Sequence, residues 1–314
     1  MAYKIIDLGS HNGDFSKAFA INSESQVTGM TGNATQPNSQ AFPAPFLWTQ
    51  GVMQTLNIPA GFRYGQGFDL NCHDEVVGFL YNGTADIAMS WIGGVAQQLP
   101  WVGDASYGRS VNDCGLACGD AGGPKNTKAH CSPVGNLSPI PPTPPNVLPS
   151  DRYCRAYGIN SLGKIVGGSD TGNPVFFPAA FAPPAPGIHA CLWDKGIVQD
   201  LGTLHPNEGS EAYGINDKRQ VVGRSGNNAF LWQNGVFHDL GPGAAYNINN
   251  SGFVIGDTFL WHAGIRTALA NLLPPNSGWQ ITEGRDINDA GEIVGTGIHA
   301  GVPNNSPRGF ILYP

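Results

Sequence analysis

Four charged residues of this 314-residue chain have the types and spacing that could form a ligand site or carry out acid–base chemistry. They are Asp69, Arg109 and the adjacent pair Arg285 and Asp286, in a chain of which only 12% is charged. Two carboxylates could act as general acid and base, and two arginines could stabilise a developing negative charge. Structural Asp–Arg pairs between neighbouring units are the alternative interpretation, because ion-pair networks also gather charge in this way.

All four residues lie two or three positions before an asparagine that recurs along the chain. The seven recurring asparagines are Asn22, Asn71, Asn112, Asn160, Asn216, Asn249 and Asn288, and a glycine follows each of them by seven residues. Their spacing ranges from 33 residues (Asn216 to Asn249) to 56 (Asn160 to Asn216). This range brackets the period of about 40–45 residues that is typical of four-stranded propeller blades.

Each repeat consists of four short predicted strands, named A to D here. In the unit at 206–241 they are EAYGIN, QVVGRS, AFLWQ and VFHDLG. The short alternating apolar segments leave no room for helices, and N-x-x-G between A and B fits a hairpin turn that ends on a left-handed residue. The third unit is degenerate, because AHCSP at 129–133 lacks the Phe and Trp of strand C.

The two chain ends complete one another. The last unit stops at RGFILYP, after strand C, and the chain starts with YKIIDLG, which matches a strand D. Joining them closes a ring and removes both exposed sheet edges. The sequence therefore predicts one all-β domain, a seven-bladed β-propeller of four-stranded blades closed by its N-terminal strand. The predicted blades cover approximately 10–59, 60–101, 102–149, 150–205, 206–241, 242–275 and 276–314 with 1–9.

The repeated line YGINDKRQVVGRS, followed by NAFLWQNGVFHDLG, resembles the HAF repeat family, the probable extracellular repeats of bacterial proteins. The resemblance covers all seven units and is strongest at 156–241 and weakest at 102–150. The His-Ala-Phe signature itself is imperfect, with HACLW at 189–193 and NAFLW at 228–232 nearest to it. The resemblance implies tandem copies and export, and it implies no established activity.

Strand A lies innermost in a propeller blade, so the residues before each asparagine should lie near the central channel. Small or aromatic residues are the rule at these positions, and the four charged residues depart from it. Histidines in or beside the B–C loops lie at the same end of the propeller. The candidate ligand-binding residues at the channel mouth are Asp69, Arg109, Arg285, Asp286, Tyr157, Tyr213, Tyr246, His189 and His299.

Four cysteines lie in or beside the degenerate third unit: Cys114, Cys118, Cys131 and Cys154. A C-x3-C pair followed by single cysteines is a poor match to the paired C-x2-C knuckles of zinc sites. Disulfides that brace a blade without its aromatic core are the favoured interpretation, and buried free thiols are the alternative. Cys191 takes a phenylalanine position in strand C, so we expect it in the core.

No metal or cofactor site is predicted. At most one aspartate follows each recurring asparagine, whereas calcium needs six to eight oxygen ligands. No histidine lies in any strand A, which argues against a histidine–metal centre on the channel axis. The asparagine is therefore predicted to be framework, with its side chain closing the A–B turn.

Composition narrows the class of partner. The net charge is −7 without any basic block, which disfavours nucleic acid. No apolar run approaches the ~20 residues that span a membrane. No signal peptide is visible, yet the low charge and the loops rich in Asn, Gly, Ser and Pro favour an extracellular or periplasmic monomer.

The long insertions all fall at the end of the propeller that carries the D–A and B–C loops. They cover 30–45, 120–129, 137–153, 168–188 and 296–307. Variable loops on a rigid scaffold commonly carry function. We therefore expect a binding module that recognises an extracellular glycan, peptide, protein or small molecule through this end. A hydrolase or lyase at the channel mouth and a structural surface or matrix protein are the alternatives.

Overall fold

Seven antiparallel sheets surround one central channel; six are built from consecutive strands, and the seventh joins the first strand of the chain to the last three. The computed structural model describes residues 3–11, 13–33, 43–101, 103–123, 126–133, 153–171, 183–195 and 197–314. Within these ranges it contains 27 strands and two short 3-10 helices, Leu269–Leu272 and Pro303–Asn305. The predicted seven-bladed β-propeller is confirmed, and the two 3-10 turns are the only helical segments in the described ranges.

The described strands follow the predicted order in each blade, which is A to D except in blade 3, where A to C are described. The chain begins with β1 (Lys4–Asp7), which belongs to the last blade. Blade 1 contains β2 (Phe15–Ile21), β3 (Val27–Gly32), β4 (Ala44–Thr49) and β5 (Val52–Thr55). Blade 2 contains β6 (Tyr64–Leu70), β7 (Val76–Tyr81), β8 (Asp86–Ile92) and β9 (Val95–Gln98). Blade 3 contains β10 (Ala105–Val111), β11 (Leu116–Gly123) and β12 (Asn126–Pro133).

The second half of the chain repeats this pattern. Blade 4 contains β13 (Cys154–Ile159), β14 (Ile165–Asp170), β15 (Ile188–Asp194) and β16 (Ile197–Gly202). Blade 5 contains β17 (Ser210–Ile215), β18 (Val221–Ser225), β19 (Asn228–Gln233) and β20 (Val236–Pro242). Blade 6 contains β21 (Ala245–Ile248), β22 (Val254–Gly256), β23 (Phe259–His262) and β24 (Ile265–Ala268). Blade 7 contains β25 (Trp279–Ile287), β26 (Ile293–His299) and β27 (Arg308–Tyr313), and β1 completes it.

The N-terminal strand closes the ring as predicted. Strand β1 pairs antiparallel with β27, so that Lys4 lies opposite Tyr313 and Asp7 lies opposite Phe310. The strand order in this sheet is β1-β27-β26-β25, with β1 in the place of strand D. The first and last strands of the chain are thereby held in one sheet, and strand β27 is not left with an exposed edge at the junction.

The third blade differs from the sequence expectation. Strands β11 and β12 pair over their whole length, from Leu116 opposite Pro133 to Gly123 opposite Asn126. Residues 120–123 and 126–129 therefore belong to paired strands, where the sequence analysis expected part of a long loop. The predicted strand D of this blade and the proline-rich insertion at 137–150 lie outside the described residues.

The aromatic residues of strand C pack between neighbouring blades. Phe46 and Trp48 of β4 are buried and share a core cluster with Val294 and Ile311 of blade 7. Phe230 and Trp232 of blade 5 similarly pack against blade 4. These clusters between blades form the hydrophobic core.

A contact within its own blade explains why strand B has a glycine in every repeat. A Cβ on Gly223 would lie 2.0 Å from the carbonyl oxygen of Glu211 on the paired strand A. In all seven blades the corresponding strand-A carbonyl lies 1.8–2.4 Å from such a Cβ. Backbone contact with strand A is therefore what excludes a side chain at this position.

The A–B turns have the predicted geometry. Their last residue is left-handed in every blade, including Ser25 (φ 60°), Asp74 (φ 61°) and Arg219 (φ 62°) where glycine is absent. The asparagine side chain closes the turn, since Oδ1 of Asn216 accepts from the backbone N–H of Gln220 at 3.0 Å. The asparagine therefore has a structural role, which is to hold the A–B turn closed.

Candidate functional site

The seven recurring asparagines form a closed belt around the channel. Each donates from Nδ2 to the backbone carbonyl oxygen of the asparagine in the next blade, at 2.9–3.1 Å. The last link runs from Asn288 to Asn22 and so spans the closure of the ring. Because these side chains are only 2–7% exposed, each bond joins two blades in a water-poor setting.

Three residues before each asparagine, strand A contains a β-bulge. The register shifts at the same place in all seven blades and leaves one residue unpaired each time. The unpaired residues are Phe19, Phe68, Arg109, Tyr157, Tyr213, Tyr246 and Arg285, all of which line the channel. A bulge redirects a side chain out of the regular pleat, and here it brings seven side chains to one level.

These seven side chains make a continuous ring of contacts, called the bulge ring below. Aromatic centroids are 6.1 Å apart for Phe19–Phe68, 5.3 Å for Tyr157–Tyr213 and 6.0 Å for Tyr213–Tyr246. The guanidinium carbon of Arg109 lies 5.3 Å from the Phe68 ring and 5.8 Å from the Tyr157 ring. Arg285 closes the circle, 4.6 Å from the Tyr246 ring and 5.7 Å from the Phe19 ring. Five aromatic and two cationic groups thus encircle the channel without a gap.

A mainly polar layer precedes the bulge ring by two residues in each blade, and so lies nearer the end with the D–A loops. Its members are Lys17, Gln66, Tyr107, Arg155, Glu211, Ala244 and Glu283, and all line the channel. The channel has a volume of about 1350 Å³. It therefore offers room for a small ligand in contact with both the bulge ring and the polar layer.

One carboxylate lies between two arginines where blade 3 meets blade 4. Asp120 of β11 accepts from Nε of Arg109 at 2.8 Å, and its other oxygen lies 3.8 Å from Nε of Arg155. Burial lowers the pKa of Arg109, but the charge of Asp120 more than offsets this and raises it overall. Arg109 also lies 4.5 Å from the Tyr107 ring, and Arg155 lies 5.0 Å from the Tyr153 ring. Both guanidinium groups are thus held in fixed planes.

Glu211 on blade 5 receives three tyrosine hydroxyls. Tyr153 and Tyr157 donate to its Oε1 at 2.6 and 3.2 Å, and Tyr213 donates to its Oε2 at 3.2 Å. Burial and the charge of Glu211 raise the pKa of Tyr157 to about 12, and they raise that of Tyr213 well above its usual range. These hydroxyls remain protonated donors at neutral pH, so the carboxylate is held in one orientation.

On the opposite side of the ring one arginine lies near two carboxylates. Arg285 forms an ion pair with Glu283 of its own strand at 2.8 Å. Tyr246, whose ring lies 4.6 Å from Arg285, donates to Asp257 at 2.7 Å, and burial raises the pKa of that hydroxyl. These groups therefore carry no excess of positive charge.

Asp69 and Asp286 bind the next blade. Asp69 accepts from the Ser110 hydroxyl at 2.6 Å and from the Val111 N–H at 3.0 Å. Asp286 accepts from the Ile21 N–H at 2.8 Å and from the amide of Asn247. Each also accepts from the backbone N–H that follows it in its own strand. Both line the channel, but their oxygens are used as clamps between blades.

Burial alters the acidity of these two clamps. It raises the pKa of Asp69 to about 7, with a further contribution from the charge of Asp286, whereas the bonds from Ser110 and Val111 oppose the rise. Burial also raises the pKa of Asp286. The neighbours that these two carboxylates contact were not predictable from the strand-A pattern.

The two candidate histidines lie away from the channel wall. His189 Nδ1 lies 2.9 Å from Asp200 on the outer strands of blade 4. In blade 5 Asn228 makes the equivalent contact with Asp239. His299 packs against Trp279 at the end of β26, with ring centroids 5.1 Å apart. Neither histidine contributes to the channel lining, and the His189 contact is a structural bond of the blade.

All six cysteines are free thiols in the structure, so the predicted disulfides are not supported. The strand register places Cys118 directly opposite Cys131, whereas Cys114 is exposed at the A–B turn. Cys118, Cys154 and Cys191 instead pack together with Trp193 in the core between blades 3 and 4. Burial raises the pKa of Cys131 and of Cys154 to about 12, which disfavours the thiolate form that reacts as a nucleophile.

In the parts of the chain that the structure covers, no three His, Cys, Asp or Glu side chains are grouped so as to hold a metal ion. The same parts contain no helix of the length and apolarity required to cross a membrane.

The comparisons with known proteins show the fold. No family model and no curated protein matches the sequence, so the resemblance to the HAF repeat family stays a prediction from the repeat residues. Among solved structures, the β-propeller domain of the Trilobed protease from Pyrococcus furiosus is similar, with a TM-score of 0.61 and 8% identity over 95% of this chain and 93% of that one. That domain is described as having an open velcro topology, whereas β1 closes the ring here.

Two peptidases contain a similar propeller. The acylaminoacyl peptidase of Pyrococcus horikoshii gives a TM-score of 0.57 at 11% identity, over 94% of this chain and 52% of that one. A puromycin-hydrolyzing peptidase of Mycobacterium tuberculosis gives 0.55 at 10% identity, over 94% and 53%. This chain thus spans about half of their length. Identities this low show only the fold, and no activity follows from them.

The sequence analysis missed the polar layer and the belt. The same alignment on the asparagine, applied five positions before it instead of three, finds Lys17, Arg155, Glu211 and Glu283. No comparable signal was available for Asp120, because its importance comes from the strand-B partner position opposite Tyr107. The inter-blade bond of the asparagine amide likewise depends on the ring geometry.

Proposed function

We propose that the protein is a binding module that takes a saccharide into the channel from the end with the D–A and B–C loops. The observation that carries this proposal is the bulge ring, a closed circle of five aromatic and two arginine side chains below a polar layer. Among the ligands expected from the sequence, namely a glycan, a peptide or a protein, the bulge ring favours the glycan.

The chemistry of the lining supports a saccharide. Aromatic faces pack against the apolar C–H faces of a sugar ring, while a few fixed polar groups set its orientation. Glu211 and Asp120 supply carboxylate acceptors, and Arg109 and Arg155 supply planar donors. Each of these groups is already oriented by a neighbour, so little side-chain entropy is lost on binding.

Hydrolysis or elimination at the channel mouth is the less favoured function. Asp69 and Asp286 were its expected carboxylates, and their oxygens hold the backbone of the next blade. Moving either of them towards a substrate would leave a buried N–H without an acceptor, at a cost of about 1–3 kcal/mol. A structural matrix protein would need no such lined channel.

An extracellular or periplasmic setting is part of the proposal. It is supported by the low content of charged residues and the loops rich in Asn, Gly, Ser and Pro. Disulfide bonds no longer support it, since the thiols are free.

The test is a saccharide array followed by isothermal titration calorimetry. Phe68→Ala and Tyr157→Ala, both in the bulge ring, should each weaken binding of any retained saccharide at least tenfold. Tyr81→Ala is the matched control, because Tyr81 packs on Tyr64 away from the channel lining. If no saccharide binds, or if the ring variants bind as well as the control, the proposal is wrong.

A further inference from the structure

The charge balance of the channel differs between its two halves. In blades 3 and 4 one carboxylate, that of Asp120, faces both Arg109 and Arg155. Within the described residues, no other carboxylate lies within 4.0 Å of either guanidinium group. Since arginine is always protonated, this cluster carries one positive charge in excess. The pair Arg285 and Glu283 on blade 7 has no such excess.

The two arginines differ in how they are held. Arg109 bonds Asp120 through Nε, whereas Arg155 lies 3.8 Å from Asp120 and shares a side-chain hydrogen bond with Tyr157. The guanidinium group of each also lies over a tyrosine ring. Their side chains are 22% and 36% exposed, respectively, and line the channel, while Asp120 is 3% exposed behind them. No acceptor in the described part of the chain bonds the Nη groups of Arg109. A planar anion can therefore reach those Nη groups from the channel, where charge-assisted bonds are strong.

Glu211 is the negative group that faces this cluster from the adjoining blade. A carboxylate offers about four acceptor positions, and three tyrosine hydroxyls take up most of them here. Its remaining capacity suits a hydroxyl donor and not a second anion. Tyr157 connects the two sites, because its ring lies 5.8 Å from Arg109 and its hydroxyl 3.2 Å from Glu211.

We propose that Arg109 and Arg155 form a carboxylate-binding subsite, so that the ligand of the channel is a saccharide containing uronic acid. The carboxylate of the sugar contacts the two guanidinium groups, and one of its hydroxyls donates to Glu211. This inference rests on the proposed saccharide function and specifies the ligand class.

The test compares acidic and neutral forms of the same ligand. Oligomers of galacturonate, glucuronate and mannuronate, together with their methyl esters and sulfated neutral oligosaccharides, are titrated into the wild-type protein by calorimetry. At least one uronate oligomer should bind, and its methyl ester should bind at least tenfold more weakly. The affinity for the acid should fall as salt rises, while that for the ester should not.

Variants localise the effect. Arg155→Gln should remove the difference between acid and ester, whereas Arg219→Gln, on an exposed arginine outside the channel lining, should preserve it. Comparing acid with ester on the wild-type protein needs no variant, so a folding defect cannot obscure the result. Equal binding of acid and ester, or binding of sulfated but not uronate oligomers, overturns the subsite and leaves the saccharide function standing. If no saccharide of any kind binds, the proposed function fails as well.

Discussion

The asparagine belt and the bulge ring are two levels of the same seven strands, only three residues apart. The belt has one residue type in all blades, whereas the bulge ring contains two Phe, three Tyr and two Arg. Belt side chains bond to the backbone of the next blade, which is the same in every blade. Ring side chains contact each other through their faces, and such contacts accept several residue types. The residue type that is the same in all blades therefore supports the fold, whereas the level at which residue types differ is the one that could select a ligand.

The largest expected effect is on the belt. Asn216→Ala removes two donated bonds, to Gln220 and to the Asn249 carbonyl, and one accepted from the Gln220 N–H, all in a buried position. We expect a loss of about 3–5 kcal/mol in the free energy of unfolding, measured by urea denaturation. Asn228→Ala, an exposed bond on the outer strands, is the control and should cost about 1 kcal/mol or less. Equal losses at the two positions would contradict a special role for the belt.

A smaller effect, dependent on pH, is expected at the clamps between the two levels. The pKa of Asp69 is about 7 in the folded protein and near 3.8 when unfolded, because burial disfavours the charge. The folded state therefore binds more protons between pH 4 and 7, so the free energy of unfolding falls as pH rises through this window. Above pH 7 the stabilising contribution is fully lost.

Asp69→Asn tests this dependence. Asparagine already stands at the equivalent place in blade 6, where Asn247 bonds the following N–H at 2.7 Å. The variant should lack the decline between pH 4 and 7, which we expect to amount to about 3–4 kcal/mol in the wild type, because the pKa is raised by about 3 units with the bonds from Ser110 and Val111 already included. Urea denaturation at pH 5 and pH 8 measures it. An unchanged decline in the variant would assign the pH dependence to another group.

At the bulge ring the expected effect on stability is smaller still. A variant here tests whether ligand affinity can be lowered with little loss of stability. Tyr213→Phe removes one of the three hydroxyls on Glu211 and should cost about 1 kcal/mol of stability. The looser carboxylate should also weaken saccharide binding several-fold by calorimetry. Tyr81→Phe removes a hydroxyl bonded to a backbone carbonyl outside the channel lining. That control should cost a similar amount of stability and leave binding intact, and a matching loss of affinity in it would contradict the assignment.

Most of the fold was predictable because the repeat supplies seven copies of one pattern. The asparagine spacing gave the blades, and the incomplete end units gave the closure by β1. The site was predictable only in part. Arg109 and Arg285 stand out in strand A, but Asp120 lies in strand B and meets Arg109 through the sheet register. A linear alignment on one residue cannot find contacts that depend on a bulge or on the angle between blades.

The smallest effect is expected at His189, which the sequence analysis placed among the ligand-binding candidates. Its ring contacts Asp200, and Asn228 makes the same contact with Asp239 one blade further on. His189→Asn should therefore keep the bond and change stability by less than about 0.5 kcal/mol, as surface substitutions usually do. Saccharide affinity should not change at all, because this pair lies outside the channel lining. A loss of affinity in calorimetry would show that the binding surface extends from the bulge ring to the outer strands. The contrast between the constant asparagine belt and the variable bulge ring would then describe only part of the binding site.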